Sequence, residues 1–443
     1  MDVVTGEEPP EARRARWSKR IVCATPQVVV NDIDSGLLRL TDVSLIIFDE
    51  VHRTVGDYSY SLLGDLIVTA NPDCRTVGFT ASLPGDRRRV NDILGTLRFT
   101  HVEARDETSE EVRPYSQATN LDWMSFDLPP VLQQIRNHLS AATSRQVDLL
   151  IKAGLLPKTT KIGFKTLLDC RRRLPGNFSP VSAALFSAIR LHHALTILET
   201  QSLEGFKDFL DRLFERRRAV GLSSLKGDPD VVASHELARG ALMLGIEHPK
   251  VTALPELLSR LKPGEKALVF AGYRHSVFML ARRLNEHGIT AGYLVGKSLG
   301  GLSQDAQVES VEKLKSGTVS VMVATQVGEE GLDISECNMV VFYDNVPSGV
   351  RFIQRRGRTG RRAPGKVFIF VTRGTKDEAY YWMGIKRLKE ANRLMASFAP
   401  PQQDKMALSS PVDADLLPGG KQNSPAGPSM LGDPGSRTPT PDL

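Results

Sequence analysis

Asp49-Glu50-Val51-His52 puts two carboxylates and an imidazole within four residues, directly behind the apolar run Leu45-Ile46-Ile47-Phe48. One carboxylate can hold Mg²⁺ through its hydration shell while its neighbour polarises an attacking water, the division of labour that nucleotide hydrolysis needs. A second group, Thr80-Ala81-Ser82, closes the run Thr76-Val77-Gly78-Phe79. Its hydroxyls can hydrogen-bond to the acidic cluster and relay its state. The third is Gln354-Arg355-Arg356-Gly357-Arg358-Thr359-Gly360-Arg361-Arg362, in which Gln354, Arg358 and Arg361 fall on one face if a helix runs through them. Arginine forks pair bidentately with phosphate oxygens and suit charge that develops on a transferring phosphoryl group. Each group also has an ordinary reading: a solvated turn, a helix cap at Thr80 or Ser82, a basic patch that only touches phosphates.

The elements that must carry these groups are legible from hydropathy. Residues 21–105 alternate short apolar runs with helix-compatible stretches, and continuous runs bounded by turn residues predict strands buried on both faces of a parallel sheet. Asp49 and Glu50 then sit at the carboxyl end of a strand, where α/β sheets bind ligands, and Thr80-Ala81-Ser82 lies on the same rim. Residues 266–372 repeat the pattern with Ala267-Leu268-Val269-Phe270, Val319-Ser320-Val321-Met322-Val323, Met339-Val340-Val341-Phe342 and Val367-Phe368-Ile369-Phe370. Between the first two, Val277, Leu280, Ala281 and Leu284 at helical spacing predict a helix capped by Ser276 and stopped at Gly288. The interval 125–245, rich in Leu, Ala and Arg at helical spacing and broken at Pro157, Pro175-Gly176 and Gly221, predicts a helical insert. After residue 399 the chain is Pro, Gly, Ser and Asp with almost no aromatics, a composition that predicts a disordered C-terminal tail. The expected boundaries are 1–124, 125–245, 246–398 and 399–443.

Composition narrows the class. With 443 residues, 41% hydrophobic and 24% charged, the chain has the proportions of a globular protein of about three units. Residues 131–220 hold fifteen Lys and Arg against seven Asp and Glu, a local +8 that exceeds the +6 of the whole chain, which places the pull on a polyanion in the insert. Cys23, Cys74, Cys170 and Cys337 are far apart and form no metal-binding or disulfide pattern. No stretch reads as a signal peptide or membrane span, so the expected setting is intracellular, cytoplasmic and reducing, with no membrane partner.

In order along the chain stand Ala24-Thr25-Pro26-Gln27, Asp49-Glu50-Val51-His52, Thr80-Ala81-Ser82, Leu268-Val269-Phe270, Ala324-Thr325 through Gly331-Leu332-Asp333, and Gln354 through Arg361. This series resembles motifs Ib to VI of superfamily 2 helicases over residues 4–395. Within them it resembles the archaeal Hef and FANCM branch, through Thr5-Gly6-Glu7 with Pro9-Pro10, the Gln-Arg-Arg-Gly-Arg-Thr-Gly-Arg form of motif VI, and Gly374-Thr375-Lys376-Asp377-Glu378-Ala379-Tyr380-Tyr381-Trp382. The resemblance implies an α/β fold of two RecA-like parallel-sheet domains that clamp ATP and step along DNA, remodelling forks or branches in repair. Carried over, Asp49 binds Mg²⁺ with Glu50 as the base on water; His52, Thr80 and Ser82 couple the domains. Gly331 and Asp333 face the nucleotide, Gln354 the γ-phosphate, and Arg358 and Arg361 are arginine fingers. Thr25, Pro26 and Thr325 touch the DNA backbone. In this branch a helical insert contacts branched DNA, with Arg171-Arg172-Arg173 and Arg216-Arg217-Arg218 the candidates for phosphate contact, and a solvated face as the alternative for either. Sliding-clamp or other repair partners, translocation polarity and oligomeric state are not legible.

Such a helicase needs a glycine-rich phosphate loop ahead of the DExH box, and residues 1–48 hold none. The resemblance therefore implies a first domain that is incomplete and N-terminally truncated, with three readings open: a late start of the sequence, a split gene, or lost hydrolysis with DNA binding kept. Truncation is the favoured expectation, because Asp49, Glu50, Arg358 and Arg361 would have no shared use in a silent descendant. Ala291-Gly292-Tyr293-Leu294-Val295-Gly296-Lys297-Ser298 imitates the missing loop. Leu299-Gly300-Gly301 follows it, where a true loop needs a helix N-terminus to face the phosphates, so it is read as a decoy. The chain as it stands is expected to hydrolyse ATP slowly, to expose unpaired strand edges, and to lack nuclease activity. A silent branched-DNA-binding protein and an RNA-directed superfamily 2 helicase are the alternatives.

Overall fold

The computed structural model describes residues 1–54, 58–81, 83–105, 109–112, 114, 119–158, 162–174, 179–216, 220–297, 300–328, 334, 337–359 and 365–398. Ser82, Arg217, Arg218, Gly331, Asp333, Arg361 and the tail lie outside them, and Arg173 is described in its backbone alone.

The first segment runs β1 (Asp2–Val4), α1 (Pro10–Trp17), β2 (Val22–Ala24), α2 (Pro26–Asp34), β3 (Leu45–Phe48), α3 (Tyr58–Ala70), β4 (Arg75–Gly78) and α4 (Arg87–Thr96). Strands β1 and β2 pair in parallel, as do β3 and β4, with Phe48 opposite Gly78. Val30, Phe48, Leu63, Ile67, Ile93 and Leu97 close a core on one side of β3 and β4. The other side differs from expectation. Leu45, Ile47, Val77 and Phe79 alternate onto the opposite face and stay exposed, Ile47 by 58% and Phe79 by 57%. These strands are buried on one face only because, among the described residues, nothing is packed over the second.

The second sheet meets the expectation in its inner strands Ala267–Phe270, Val321–Ala324 and Met339–Phe342 and not at its edges. It contains β5 (Thr119–Phe126) and, after the helical layer of α5 (Pro130–Lys152), α6 (Phe164–Arg173), α7 (Pro180–Thr200), α8 (Leu203–Glu215), α9 (Leu222–Lys226), α10 (Pro229–Met243) and α11 (Pro249–Leu258), the remaining strands. These are β6 (Ala267–Phe270), β7 (Ala291–Leu294), β8 (Val321–Ala324), β9 (Met339–Phe342) and β10 (Gly365–Thr372). Helices α12 (Arg274–Glu286), α13 (Gln304–Lys315), α14 (Gly349–Arg356) and α15 (Lys376–Ala396) connect or follow them. All pairings are parallel, in the order β5-β10-β9-β6-β8-β7, and every residue of β6, β8 and β9 is buried. Residues 119–124 thus belong to this sheet, so the boundary expected at 124 cuts through β5. Its eight-residue register with β10 holds it there, and helices α5 to α10 leave and rejoin one sheet.

Helix ends follow local chemistry. Ser179 and Ser182 cap α7 reciprocally, and Asp228 caps α10. Helix α12 begins two residues before the expected cap: Tyr273 takes the N-cap and Ser276 is buried inside, while Gly288, at φ +77°, ends it as expected. Helix α7 has 21 residues and is the one described helix long and apolar enough to cross a membrane, a length of apolar sequence the composition did not suggest. Its Leu185, Ala188, Leu191 and Leu198 are buried in the cores of the helical layer.

Candidate functional site

Two hydrogen bonds stitch the ends of the first segment's central strands: Phe79 N to Phe48 O at 2.8 Å and Val51 N to Phe79 O at 3.0 Å. Asp49-Glu50 and Thr80 are therefore side by side on one rim. Glu50 turns there in the left-handed region at φ +53°, a conformation rarely held by a non-glycine residue outside functional sites. It is over-determined locally, since Asp49 Oδ1 accepts from Glu50 N at 2.9 Å and Tyr60 Oη donates to Asp49 O at 2.7 Å. His52 Nδ1 stands 3.1 Å from Glu50 Oε2 and 2.9 Å from Thr80 Oγ1. Burial pushes the His52 pKa down, against the opposing pull of Glu50, so the ring is neutral near pH 7. The arrangement offers adjacent carboxylates whose posture is tied, through a neutral imidazole, to the next strand. Asp49 and Glu50 suit the oxygen-donor chemistry of Mg²⁺.

On the second sheet the arginine-rich segment departs from the continuous helix expected. Helix α14 stops at Arg356 and Gly357 takes the C-cap, so Gln354 is helical but Arg358 is not. Arg358 and Thr359 continue as turn residues, their amides bonding to Arg355 O and Arg356 O. Glycine's low helix propensity explains the stop. Gln354 and Arg358 are both half-buried, and Arg358 O accepts from Cys337 N at 3.1 Å. Arg355, which sequence reasoning passed over, is the buried member. Its guanidinium lies 5.1 Å from the Phe270 ring centre and 5.5 Å from that of Phe342, and Nη1 donates to Asp344 O at 2.9 Å.

Residues 1–90 match the DEAD/DEAH box helicase family and residues 249–363 the helicase conserved C-terminal domain. The crystal structure of the Pyrococcus furiosus Hef helicase domain superposes with a TM-score of 0.62 at 34% identity, covering 86% of this chain and 82% of that one. The chain belongs to the superfamily 2 helicases of the Hef and FANCM type. A Methanocaldococcus jannaschii protein provisionally named an ATP-dependent RNA helicase is 32% identical over 88% of this chain and 51% of its own length. The ATP-dependent DNA helicase fml1 of Schizosaccharomyces pombe is 28% identical over 88% of this chain and 50% of its own. The chain spans about half the length of these curated relatives.

The other motif residues of this helicase chain are scattered in exposure. Thr25 is exposed at the N-cap of α2 without a side-chain cap bond, and Pro26 takes the first helical position. Thr325 is buried behind β8, its amide bonded to Leu294 O. Arg171 and Arg172 are exposed on α6, Arg171 over the Phe186 ring and Arg172 3.5 Å from Asp169. The first four residues of the imitation phosphate loop are β7 itself, its Ser298 lies outside the described residues, and α13 begins only at Gln304, capped by Ser303; Lys297 Nζ donates to Gln304 Oε1 at 2.8 Å.

A buried polar weld joins the helical layer to the second sheet, and no periodicity announces it. Lys250 Nζ meets Asp377 Oδ2 at 2.5 Å and donates to Tyr343 O at 2.9 Å, both side chains fully buried. Asp377 also accepts from Thr372 N and Asn345 N. Beside it, Gln201 Nε2 and Gly272 N both donate to Asp344 Oδ2 at 2.6 Å. Burial raises the Asp344 pKa, with Arg355 opposing. Asp377 stands inside the family-like stretch Gly374 to Trp382, which was the available signal; Lys250 had none.

Proposed function

We infer that the chain is the motor part of an ATP-dependent DNA helicase or translocase that remodels forked or branched DNA in repair. The observation that carries this is the DExH cluster itself: Asp49 and a strained Glu50 at the end of β3, bridged by His52 to Thr80 on the neighbouring strand. Asp49 would hold Mg²⁺ and Glu50 would orient and deprotonate the water. Mg²⁺ with ATP, when bound, supplies the phosphoryl group and the charge neutralisation of its transfer. His52 keeps Glu50 aimed and ties it to Thr80; Thr80 and Ser82 would sense the nucleotide. Gln354, Arg358 and Arg361 would complete the site from the second sheet, with Gly331 and Asp333 beside the nucleotide. Thr25, Pro26 and Thr325 would follow the DNA backbone, and the basic insert, Arg171 to Arg173 included, would meet the branch.

The name of the archaeal relative favours a second reading, an RNA-directed helicase. Competition between forked DNA and duplex RNA for the chain, at one stated salt because phosphate contacts dominate affinity, separates them. Preference for the fork supports the DNA reading, and preference for the RNA duplex overturns it.

A further inference from the structure

A cavity of about 350 Å³ opens between α7, α8 and the start of α12, where the helical layer meets the second sheet. Arg190 of α7, Arg212 of α8, Arg216 at its C-cap and Arg274 of α12 line it, so arginines from three helices converge on one space. Among the described residues no carboxylate lies within 4.0 Å of Arg190, Arg212 or Arg216. Arg190 donates instead to Val220 O, and Arg212 Nε to Asp208 O at 3.0 Å. Burial and then the charge of Arg216 push the Arg190 pKa down, the signature of a cation held among cations. The nearest acid contact is at the α12 side, where Asp208 Oδ2 is 3.4 Å from His275 Nε2.

The rest of the lining suits a ring. His193 packs edge-on to Phe209 at 5.1 Å and tilted to Tyr273 at 5.4 Å, and burial, then Lys376, keeps the imidazole neutral. At Gly205 a Cβ would come within 2.8 Å of Ser202 Oγ and 3.2 Å of His275 Cδ2, so α8 approaches α12 closely only because no side chain stands there. Tyr273 begins α12 without a side-chain cap bond, which leaves the positive end of a 13-residue helix at the cavity wall. Arg212 lies on the last turn of α8 and Arg216 is its C-cap, with extended backbone at ψ 129°, and both are exposed; cations that continue past the helix end suit successive phosphates of a strand better than one compact anion.

We propose that this cavity holds a nucleotide unit of an unpaired nucleic-acid strand, its phosphates on Arg190, Arg212 and Arg216 and its base against the rings of His193, Phe209 and Tyr273. This rests on the reading of the chain as a nucleic-acid motor and gives that motor a strand contact on the seam between insert and second sheet. Single-strand sites of this kind combine basic side chains with ring faces.

The test is fluorescence anisotropy of a labelled oligothymidine of roughly 12 nucleotides with the chain, in a salt series. Arg212→Gln with Arg216→Gln is expected to weaken binding about ten-fold or more and to flatten the salt slope by roughly 1.4, two contacts' worth. Arg239→Gln, which removes an equally exposed arginine of α10, is the charge control and should change little; Phe209→Leu should weaken binding with the salt slope kept. Thermal unfolding of each variant confirms that it folds, and Arg212→Lys with Arg216→Lys, which keeps charge without the fork, should recover part of the affinity. Equal losses in the Arg239 control and the cavity variants, or none in either, would overturn the proposal while leaving the motor reading in place. Failure of the unmodified chain to bind any nucleic acid sinks both. Displacement of the oligonucleotide by pyrophosphate or ATP at equal concentration would make the occupant a free nucleotide and overturn the strand assignment.

Discussion

At the scale of single residues, Glu50, His52 and Thr80 form one unit. The Thr80 hydroxyl contributes a hydrogen bond worth about 1 kcal/mol, so Thr80→Val is expected to lower DNA-stimulated ATP hydrolysis by roughly five-fold without unfolding the chain. A steady-state rate equal to the unmodified protein's would show that the contact at 2.9 Å does nothing for turnover. The adjacency of carboxylates and hydroxyls was legible, because apolar runs ending in Asp49 and Thr80 fix both at one sheet rim. The role of Arg355 was not: a buried arginine over Phe270 and Phe342 depends on residues 85 and 13 positions away and leaves no local pattern. His248 is a second residue of this kind. Burial, followed by the charge of Lys250, pushes its pKa to about 3, so the folded ring stays neutral where an unfolded one, near 6.5, takes up a proton. Stability from His248 is therefore full above pH 6.5 and is lost as pH falls toward the folded value. Its ring-proton NMR shift should stay flat from pH 8 to about 4.5; a midpoint near 6 would contradict the burial.

At the scale of elements, most parallel strands could be read from apolar runs, α12 from its helical spacing though not from its cap, and the helical insert from its leucine spacing. What could not be read was where the insert attaches. Residues 119–126 read as the end of one domain, yet they form the edge of the second sheet, because strand pairing joins residues 246 positions apart and sequence periodicity is local. Where the helical layer returns to the sheet, α11 is held by the Lys250 and Asp377 pair at the carboxyl ends of β9 and β10. Removing one partner of a fully buried pair strands the other charge, so Lys250→Met is expected to cost about 3–5 kcal/mol in urea unfolding. A loss below about 1 kcal/mol, the range of exposed pairs, would mean that the weld holds nothing.

At the scale of the whole molecule, the two α/β regions differ in how their sheets are covered. In the second, β6, β8 and β9 are buried on both faces, whereas the first presents Leu45, Ile47, Val77 and Phe79 on an open face of the kind that mediates association. Self-association at micromolar concentration is the expected outcome, and Ile47→Thr with Phe79→Ser should raise the monomer fraction in size-exclusion chromatography; an unchanged elution profile would show that this face is not the sticky one. The measurement that bears most directly on the account is ATP hydrolysis by the chain with and without forked DNA, alongside its Glu50→Gln variant. The account predicts a rate raised by the fork and abolished by Glu50→Gln; hydrolysis that persists in the variant would contradict it.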